Sequence, residues 1–248
     1  MVVPPIRALA WPVLLGVLAG VLYPGLLRAE APSAASATPY VERPASRDGT
    51  GRFYLGREIG RVMPHEAASW LERPTRDVEE YPDRVLAEMG LATNAEVADL
   101  GAGTGYFTFR LAARVPEGRV YAVDIQPEML EIIQRRAQAR GTANVVPVRA
   151  SETDPGLAPE SVDAVLLVDA YHEFSYPFEV MSAVVRALRP GGRVFLIEYR
   201  GEDPRLPVMP LHKLSEAQAR REMAAVGLRW RETRWYLPRQ HFFVFEKP

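Results

Sequence analysis

The spacing of hydrophobic and polar positions changes character twice along the chain. Residues 8–27 read ALAWPVLLGVLAGVLYPGLL, an unbroken uncharged run that follows a single basic residue, Arg7. From residue 53 to 90 apolar residues fall among many charges: Tyr54, Ile59, Met63, Trp70 and Leu71, then Val85, Leu86 and Met89 at helical spacing behind Pro82 and ahead of Gly90. This stretch predicts an amphipathic helical cap, with Pro82 in a first turn and Gly90 as a left-handed terminator. From Ala95 on, short apolar runs alternate with helical stretches, the pattern of a parallel sheet covered on both faces. Seven strands are predicted, at 96–100, 119–123, 145–148, 162–168, 193–198, 228–236 and 241–245. Helices are predicted at 106–113, 127–140, 177–188 and 215–226, the last opened by Ser215 with Glu216 and Gln218 behind it. The last two strands are joined only by a short link and so pair antiparallel. The expected fold is therefore α/β: a Rossmann-like doubly wound seven-stranded sheet, mostly parallel with an antiparallel last strand, plus an N-terminal helical cap.

The apolar run at the start wants to leave water. As a helix rising about 1.5 Å per residue it would just cross a hydrocarbon layer of about 30 Å, although Pro12, Gly16, Gly20, Pro24 and Gly25 weaken it. Leu27-Arg28-Ala29 and Ala29-Glu30-Ala31 resemble signal cleavage sites. Residues 1–31 thus read either as a secretion signal or as a retained membrane anchor, 32–52 as a linker, 53–90 as the cap and 91–248 as the main domain. The expected location is exported or membrane-anchored through residues 8–27. Arg7 and Arg28 flank the run almost symmetrically and leave its orientation, the cytoplasmic face included, open.

Composition narrows the chemistry. The 30 basic and 31 acidic residues leave a net charge of -1, which gives no general field for a polyanion, and no nucleic-acid partner is expected. The chain has no cysteine, which removes thiolate nucleophiles, zinc–thiolate sites and iron–sulfur clusters.

The strongest local signal is VADLGAGTGYFTFRLA at 97–112: a strand, a glycine turn and a helix start. Glycines let a backbone approach a ligand closely, and a helix start offers N–H donors. The spacing is GxGxG rather than the GxGxxG of a dinucleotide fold, because position 106 is Tyr. Asp99, two residues before the first glycine, suits a ligand carrying an ammonium group better than a pyrophosphate. Asp124 ends the next strand, where a carboxylate can accept both hydroxyls of a ribose.

With these residues in place the chain resembles the class I S-adenosylmethionine-dependent methyltransferases over about residues 96–198. VADLGAGTGYFT is similar to that family's first motif, VYAVDIQPEM to its acidic second motif, SVDAVLLVDAYHEF to its fourth-strand motif, and ALRPGGRVFLIEY to its helix–turn–strand segment. The resemblance implies S-adenosyl-L-methionine as cofactor. It places Asp99 and the stretch Gly101, Ala102, Gly103, Thr104, Gly105 and Tyr106 against the methionine portion, with Asp169 on the same side. Asp124 would hold the ribose, and Ile125 and Met129 the adenine face. The adenine edge falls to the stretch Ser151 to Asp154, with Glu152 and Thr153 as candidates.

Catalytic candidates cluster just after the fourth strand, in Asp169-Ala170-Tyr171-His172-Glu173-Phe174. His172 is read as a general base or acceptor-positioning group, with Tyr171 and Glu173 shaping the pocket. His212 could reach the site but is read as a helix-entry residue, His241 as structural, and Trp70 and Arg76 as part of a cover. Asp169, His172, Glu173 and Glu198 could be assembled into a divalent metal site, but no metal-ligand spacing is recognisable, and no metal is expected. DAYHEF stands where amide- and adenine-methylating relatives carry Asn/Asp-Pro-Pro-aromatic, and the cysteines of arsenite-methylating relatives are absent. A small-molecule O, N or C acceptor remains, lipophilic if the N-terminal run stays attached. Two other readings stand beside it: a non-catalytic adenosyl-binding or interaction protein on the same fold, and an NAD-type oxidoreductase, which the GxGxG spacing opposes.

Overall fold

The computed structural model describes residues 1–2 and 39–248. The signal or anchor reading of residues 1–31, the membrane run 8–27 and the start of the linker lie outside the described residues. Among the described residues no helix is long and apolar enough to cross a membrane.

The first described elements depart from the helical cap. Three strands, β1 (Tyr40–Glu42), β2 (Gly49–Tyr54) and β3 (Arg57–Gly60), form an antiparallel sheet, so strand structure replaces both the second half of the linker and the start of the expected cap. Tyr54 pairs with Arg57 across a two-residue turn in which Leu55 and Gly56 both take positive φ (46° and 93°). Such a turn matches the twist of a hairpin. Leucine is an unusual residue for its first position, which is why the pattern did not announce it. Helical structure begins only at a 3-10 turn, His65–Glu72, followed by α1 (Arg76–Glu80) and α2 (Pro82–Glu88), whose Pro82 sits in the first turn as expected.

The main sheet is built from β4 (Glu96–Leu100), β5 (Arg119–Asp124), β6 (Val145–Arg149), β7 (Val162–Val168), β8 (Leu188–Tyr199), β9 (Arg229–Arg234) and β10 (Gln240–Glu246). Their order is β6-β5-β4-β7-β8-β10-β9. Strands β4 to β8 are mutually parallel, and β10 runs antiparallel to both neighbours, β8 and β9. The order reverses between β4 and β7, the point at which an open α/β sheet leaves a crevice at the strands' carboxyl ends.

Alternation along each strand sorts the core into two layers. Val97, Ala164, Leu166, Phe195, Ile197 and Phe242 pack on one face with α2, with α3 (Thr108–Arg114) and with α4 (Pro127–Arg140). Ala98, Val165, Leu167, Leu196, Phe243 and Phe245 pack on the other with α5 (Pro177–Ala187) and α6 (Glu216–Ala225). Burial on both faces explains why these strands read as near-continuous apolar runs. Ser215 caps α6 as expected, its hydroxyl accepting from the Gln218 amide at 3.2 Å. Pro190-Gly191-Gly192 is not a free turn: it lies inside β8, where the pairing with β7 shifts register and Gly191 takes φ 73°.

A buried polar network docks the small sheet onto the main one. The Arg57 guanidinium donates to Glu222 on α6 twice, at 2.8 and 2.9 Å, the Tyr171 hydroxyl donates to the same carboxylate at 2.6 Å, and Gln218 donates to the Leu55 carbonyl at 3.2 Å. The Tyr40 hydroxyl donates to Glu179 on α5.

Candidate active site

A cavity of about 410 Å³ opens at the carboxyl ends of β4, β5 and β7, with residues 62–80 along one wall. Its size suits a nucleoside-bearing ligand together with a small second molecule. The turn after β4 forms its floor. Gly101 and Gly103 take φ of 79° and 55°, and side chains there would collide with Ala170 Cβ at 2.5 Å and Leu71 Cδ1 at 2.6 Å. Glycine is therefore demanded at both positions on two counts, backbone conformation and space.

The N–H groups of this turn serve the protein rather than standing free. Gly101 and Ala102 both donate to the Val123 carbonyl, at 2.9 and 3.0 Å, and Gly103 donates to Asp124 Oδ2 at 2.8 Å. The turn's contribution is thus closeness of approach, with Asp124 locked against it. The other oxygen of Asp124 accepts from the Gln126 amide at 2.9 Å. Burial raises the pKa of Asp124 against these backbone donors. Asp99 accepts a 2.6 Å hydrogen bond from the Thr108 hydroxyl, and burial pushes its pKa up to about 6 despite that bond and the nearby Arg76.

Gly101, Ala102, Gly103, Tyr106, Asp124, Ile125 and Met129 line the cavity together with Asp99, Glu152 and Asp169. Three of the residues expected on the cofactor do not. Thr104 is buried away from it, its hydroxyl donating to Glu72 at 2.5 Å, and Gly105 packs against Phe109. Thr153 is exposed: Ser151 Oγ accepts from the amides of Thr153 and Asp154 at 3.3 and 3.0 Å, and this tight turn leaves Ser151 and Glu152, not Thr153, on the cavity wall.

Asp169, directly after β7, holds φ 49°, a strained conformation for a residue with a side chain. Its Oδ2 accepts from Gln240 at 2.7 Å, while Oδ1 is buried without a partner. Burial, reinforced by Glu80 and Glu198, raises its pKa well above the usual carboxylate range. An orphaned acceptor atom, two glycines that keep the floor clear and two further acids make an acceptor set that fits a ribose and an ammonium-bearing amino acid.

His172 and Glu173 line the cavity, but Tyr171 does not. It belongs to the core beneath, its hydroxyl bound to Glu222, so the expected pocket-shaping role for Tyr171 gives way to a structural one. The His172 ring is held at Nδ1 by Glu198 Oε2, 2.7 Å away on β8, and its Nε2 lies 3.0 Å from His212 Nδ1. His212 therefore reaches the site and is more than a helix-entry residue. Burial disfavours a charged His172, but the Glu198 carboxylate prevails and raises its pKa. Burial, with the charge of His172, lowers that of His212. Burial pushes Glu173 up to about 7 against the pull of His172.

The cover segment is pinned onto the cofactor side. Gln126 accepts from the His65 amide at 2.8 Å and donates to the Met63 carbonyl at 3.0 Å, and Arg136 donates to Glu72 at 2.6 Å. Arg76 lies 4.0 Å over the Tyr106 ring and donates to Glu80 at 2.8 Å. Glu80 lies outside every motif and Tyr199 ends the segment ALRPGGRVFLIEY without a chemical signal of its own, so the sequence assigns neither a role; Glu198, read from the sequence only as a possible metal ligand, supports the His172 ring.

A doubly wound sheet with this strand order, a GxGxG floor and acids ending β4 and β5 places a ligand crevice at the carboxyl ends of the strands, where such folds bind nucleoside-bearing ligands. Residues 97–192 match the family described as Methyltransferase domain. An uncharacterised methyltransferase of Mycobacterium tuberculosis is 38% identical over 130 residues, 51% of this chain and 48% of that protein. A demethylmenaquinone methyltransferase of Thermus thermophilus is 33% identical over 106 residues, 42% of this chain and 46% of that protein. The chain thus spans about half the length of these curated relatives. In fold it is similar to a SAM dependent methyltransferase from Aquifex aeolicus, with TM-score 0.72 at 23% identity, over 75% of this chain and all of that one. These likenesses support a class I methyltransferase domain and imply S-adenosyl-L-methionine as its cofactor.

Proposed function

We propose that this protein transfers a methyl group from S-adenosylmethionine to a small lipophilic acceptor. The observation that carries the reading is a single cavity that joins the glycine floor and its acids to the cluster His172, Glu173 and His212. Its mouth is apolar: Val62, Trp70 and Met209 stand 41%, 59% and 53% exposed beside it. Grouped exposed apolar side chains at a pocket mouth favour an apolar visitor. The Thermus relative, with demethylmenaquinone in its name, fits the same picture.

When bound, the cofactor supplies an electrophilic methyl on a sulfonium. The chain's own task is to hold two reactants in line, keep water out, and take a proton where the acceptor must lose one. Asp99 and Asp169 would face the methionine portion, Asp124 the ribose, and Ile125 with Met129 the adenine. His172, oriented by Glu198, lines the acceptor side of the cavity, where it orients the acceptor.

Calorimetry with S-adenosylhomocysteine and with NAD tests the cofactor half; binding of NAD alone would overturn the proposal. Transfer of label from methyl-labelled cofactor into a lipid extract, rather than into the water-soluble fraction, tests the acceptor half.

Two outcomes follow from the acids. Asp124→Ala is expected to weaken S-adenosylhomocysteine binding by about 1.5–3 kcal/mol, the scale of hydrogen bonds to a charged group. An unchanged affinity would mean that the ribose is held elsewhere. Asp99 is neutral below about pH 6 and charged above it. A ligand ammonium needs the charged form, so affinity should fall as pH drops through that value, approaching about tenfold per pH unit. Asp99→Asn should bind weakly with a flat profile, and a wild-type affinity constant from pH 5 to pH 7 would remove Asp99 from ammonium recognition.

A further inference from the structure

The His172, Glu173 and His212 cluster has a geometry that a hydrogen-bonded pair of imidazoles does not require. His172 Nε2 and His212 Nδ1 are 3.0 Å apart, and Glu173 Oε1 lies 3.7 Å from each. The three atoms form a triangle open to the cavity. For sides of 3.0, 3.7 and 3.7 Å the circumradius is about 2.0 Å, so one point near its plane stands at metal–imidazole bond length from all three donors without any atom moving.

We propose that these three residues bind a divalent first-row transition-metal ion, and that the ion holds the oxygen of the methyl acceptor.

The surroundings are those of a built site. His172 Nδ1 lies 2.7 Å from the buried Glu198 Oε2, which holds the ring and, with the proton on Nδ1, leaves the Nε2 lone pair for an ion. A carboxylate behind a ligating imidazole is the common support for such a ligand. The two short turns that carry the donors, Tyr171–Glu173 and Pro210–His212, are brought together over Gly60 at the end of β3. A side chain at Gly60 would sit 3.3 Å from the Leu211 carbonyl oxygen and 3.6 Å from His172 Cδ2, so a larger residue would press on both turns. Arg57 donates to the His172 carbonyl at 3.1 Å and anchors the first turn from the same strand.

Two imidazoles and one carboxylate select borderline ions such as zinc, iron(II), cobalt or manganese rather than calcium or magnesium, which prefer all-oxygen shells. Three protein ligands leave at least one coordination position facing the cavity. An oxygen bound there becomes more acidic and is fixed in place. The acceptor class this implies, given the methyl-transfer reading on which this part rests, is an apolar molecule with a phenolic or enolic hydroxyl. The O–H bond breaks and its proton passes to solvent; the oxygen lone pair would form the new bond to the methyl carbon as the methyl–sulfur bond breaks, its electron pair staying on the sulfur of the departing thioether, S-adenosylhomocysteine.

The test uses the full chain without an added histidine tag, stripped with chelator. Four histidines and no cysteine make the background low. Titration with zinc and with cobalt, read by calorimetry, elemental analysis and the cobalt absorption spectrum, should give one ion per chain at micromolar affinity or tighter. His212→Ala and Glu173→Gln should each weaken binding at least about a hundredfold, and Glu198→Gln about 10–100-fold, the range for a supporting carboxylate. His65→Ala should bind as the wild type does. Each variant is checked for wild-type circular dichroism and S-adenosylhomocysteine affinity, so that a loss of fold is not mistaken for a loss of ligand. Absence of stoichiometric binding by the stripped wild type, or binding indifferent to both His212→Ala and Glu173→Gln, overturns the metal site. If S-adenosylhomocysteine still binds in that case, the methyl-transfer reading stands without it. Failure of the wild type to bind S-adenosylhomocysteine, with the ion still bound, overturns the methyl-transfer reading and leaves the site.

Discussion

Replacing His172 with alanine is expected to lower the rate of methyl transfer by about 10²–10⁴, the span covered by a positioned proton-transfer group. The reason is geometric. His172 is buried, its Nδ1 is committed to Glu198, and its Nε2 is the ring atom facing the cavity. Whether Nε2 takes a proton or binds an ion, its removal leaves the acceptor unheld. The residues proposed to hold the cofactor lie at the ends of β4 and β5, in the segments after them and at Asp169 after β7, and His172 is not among them, so affinity for S-adenosylhomocysteine should remain that of the wild type. Single-turnover measurement with labelled cofactor separates the two quantities. A variant that turns over as fast as the parent would place the chemistry elsewhere in the cavity.

Glu222→Ala is expected to carry the largest cost in stability. Its carboxylate is fully buried, pairs with Arg57 through two hydrogen bonds and accepts a third from Tyr171. Removing it strands a guanidinium that is itself only 9% exposed. Breaking one partner out of a buried pair costs about 3–5 kcal/mol. For a domain of this size that corresponds to a fall in Tm of about 6–20 °C. Thermal unfolding followed by circular dichroism reads this directly, and a shift under about 2 °C, less than about 1 kcal/mol on the same scale, would mean that water reaches Arg57 and takes over its solvation. Because Arg57 also holds the His172 carbonyl, the same variant should lose activity at temperatures where it is still folded.

The main sheet was legible because its strands are buried on both faces and its glycine turn cannot be built from other residues. Every predicted strand from 96 onward corresponds to an observed one, and the antiparallel final strand follows from the short link before it. The small N-terminal sheet was not legible. Its strands are three to six residues long, and its tight turn uses Leu55 where Asn or Asp would have signalled a hairpin. Motif position led to Asp99, Asp124, Asp169 and His172, all of which line the cavity, since each lies at the carboxyl end of a strand or within four residues after it. It failed for Thr153, because the Ser151 turn rotates the chain, and for Tyr171, because the residue before His172 on a one-turn helix points to the opposite side. For His212 and Glu198 the sequence offers candidates without a pairing: they meet His172 only through tertiary packing, 40 and 26 residues away in sequence.

The bonds that dock the small sheet join residues made early to residues made late. Arg57 waits for Glu222, 165 positions on, Leu55 for Gln218, 163 positions on, and Tyr40 for Glu179. During synthesis the first strands therefore emerge with no partner, and they find their buried carboxylate only when α6 leaves the ribosome. Pairings this distant in sequence form slowly, since the long loop must close before they are rewarded. The turn that carries His172 is anchored by Arg57 of the same sheet, so its final setting belongs to the last stage of folding. The His172 side of the cavity takes its final shape only once α6 has been made, and a nascent chain stalled short of α6 would carry the glycine floor without it.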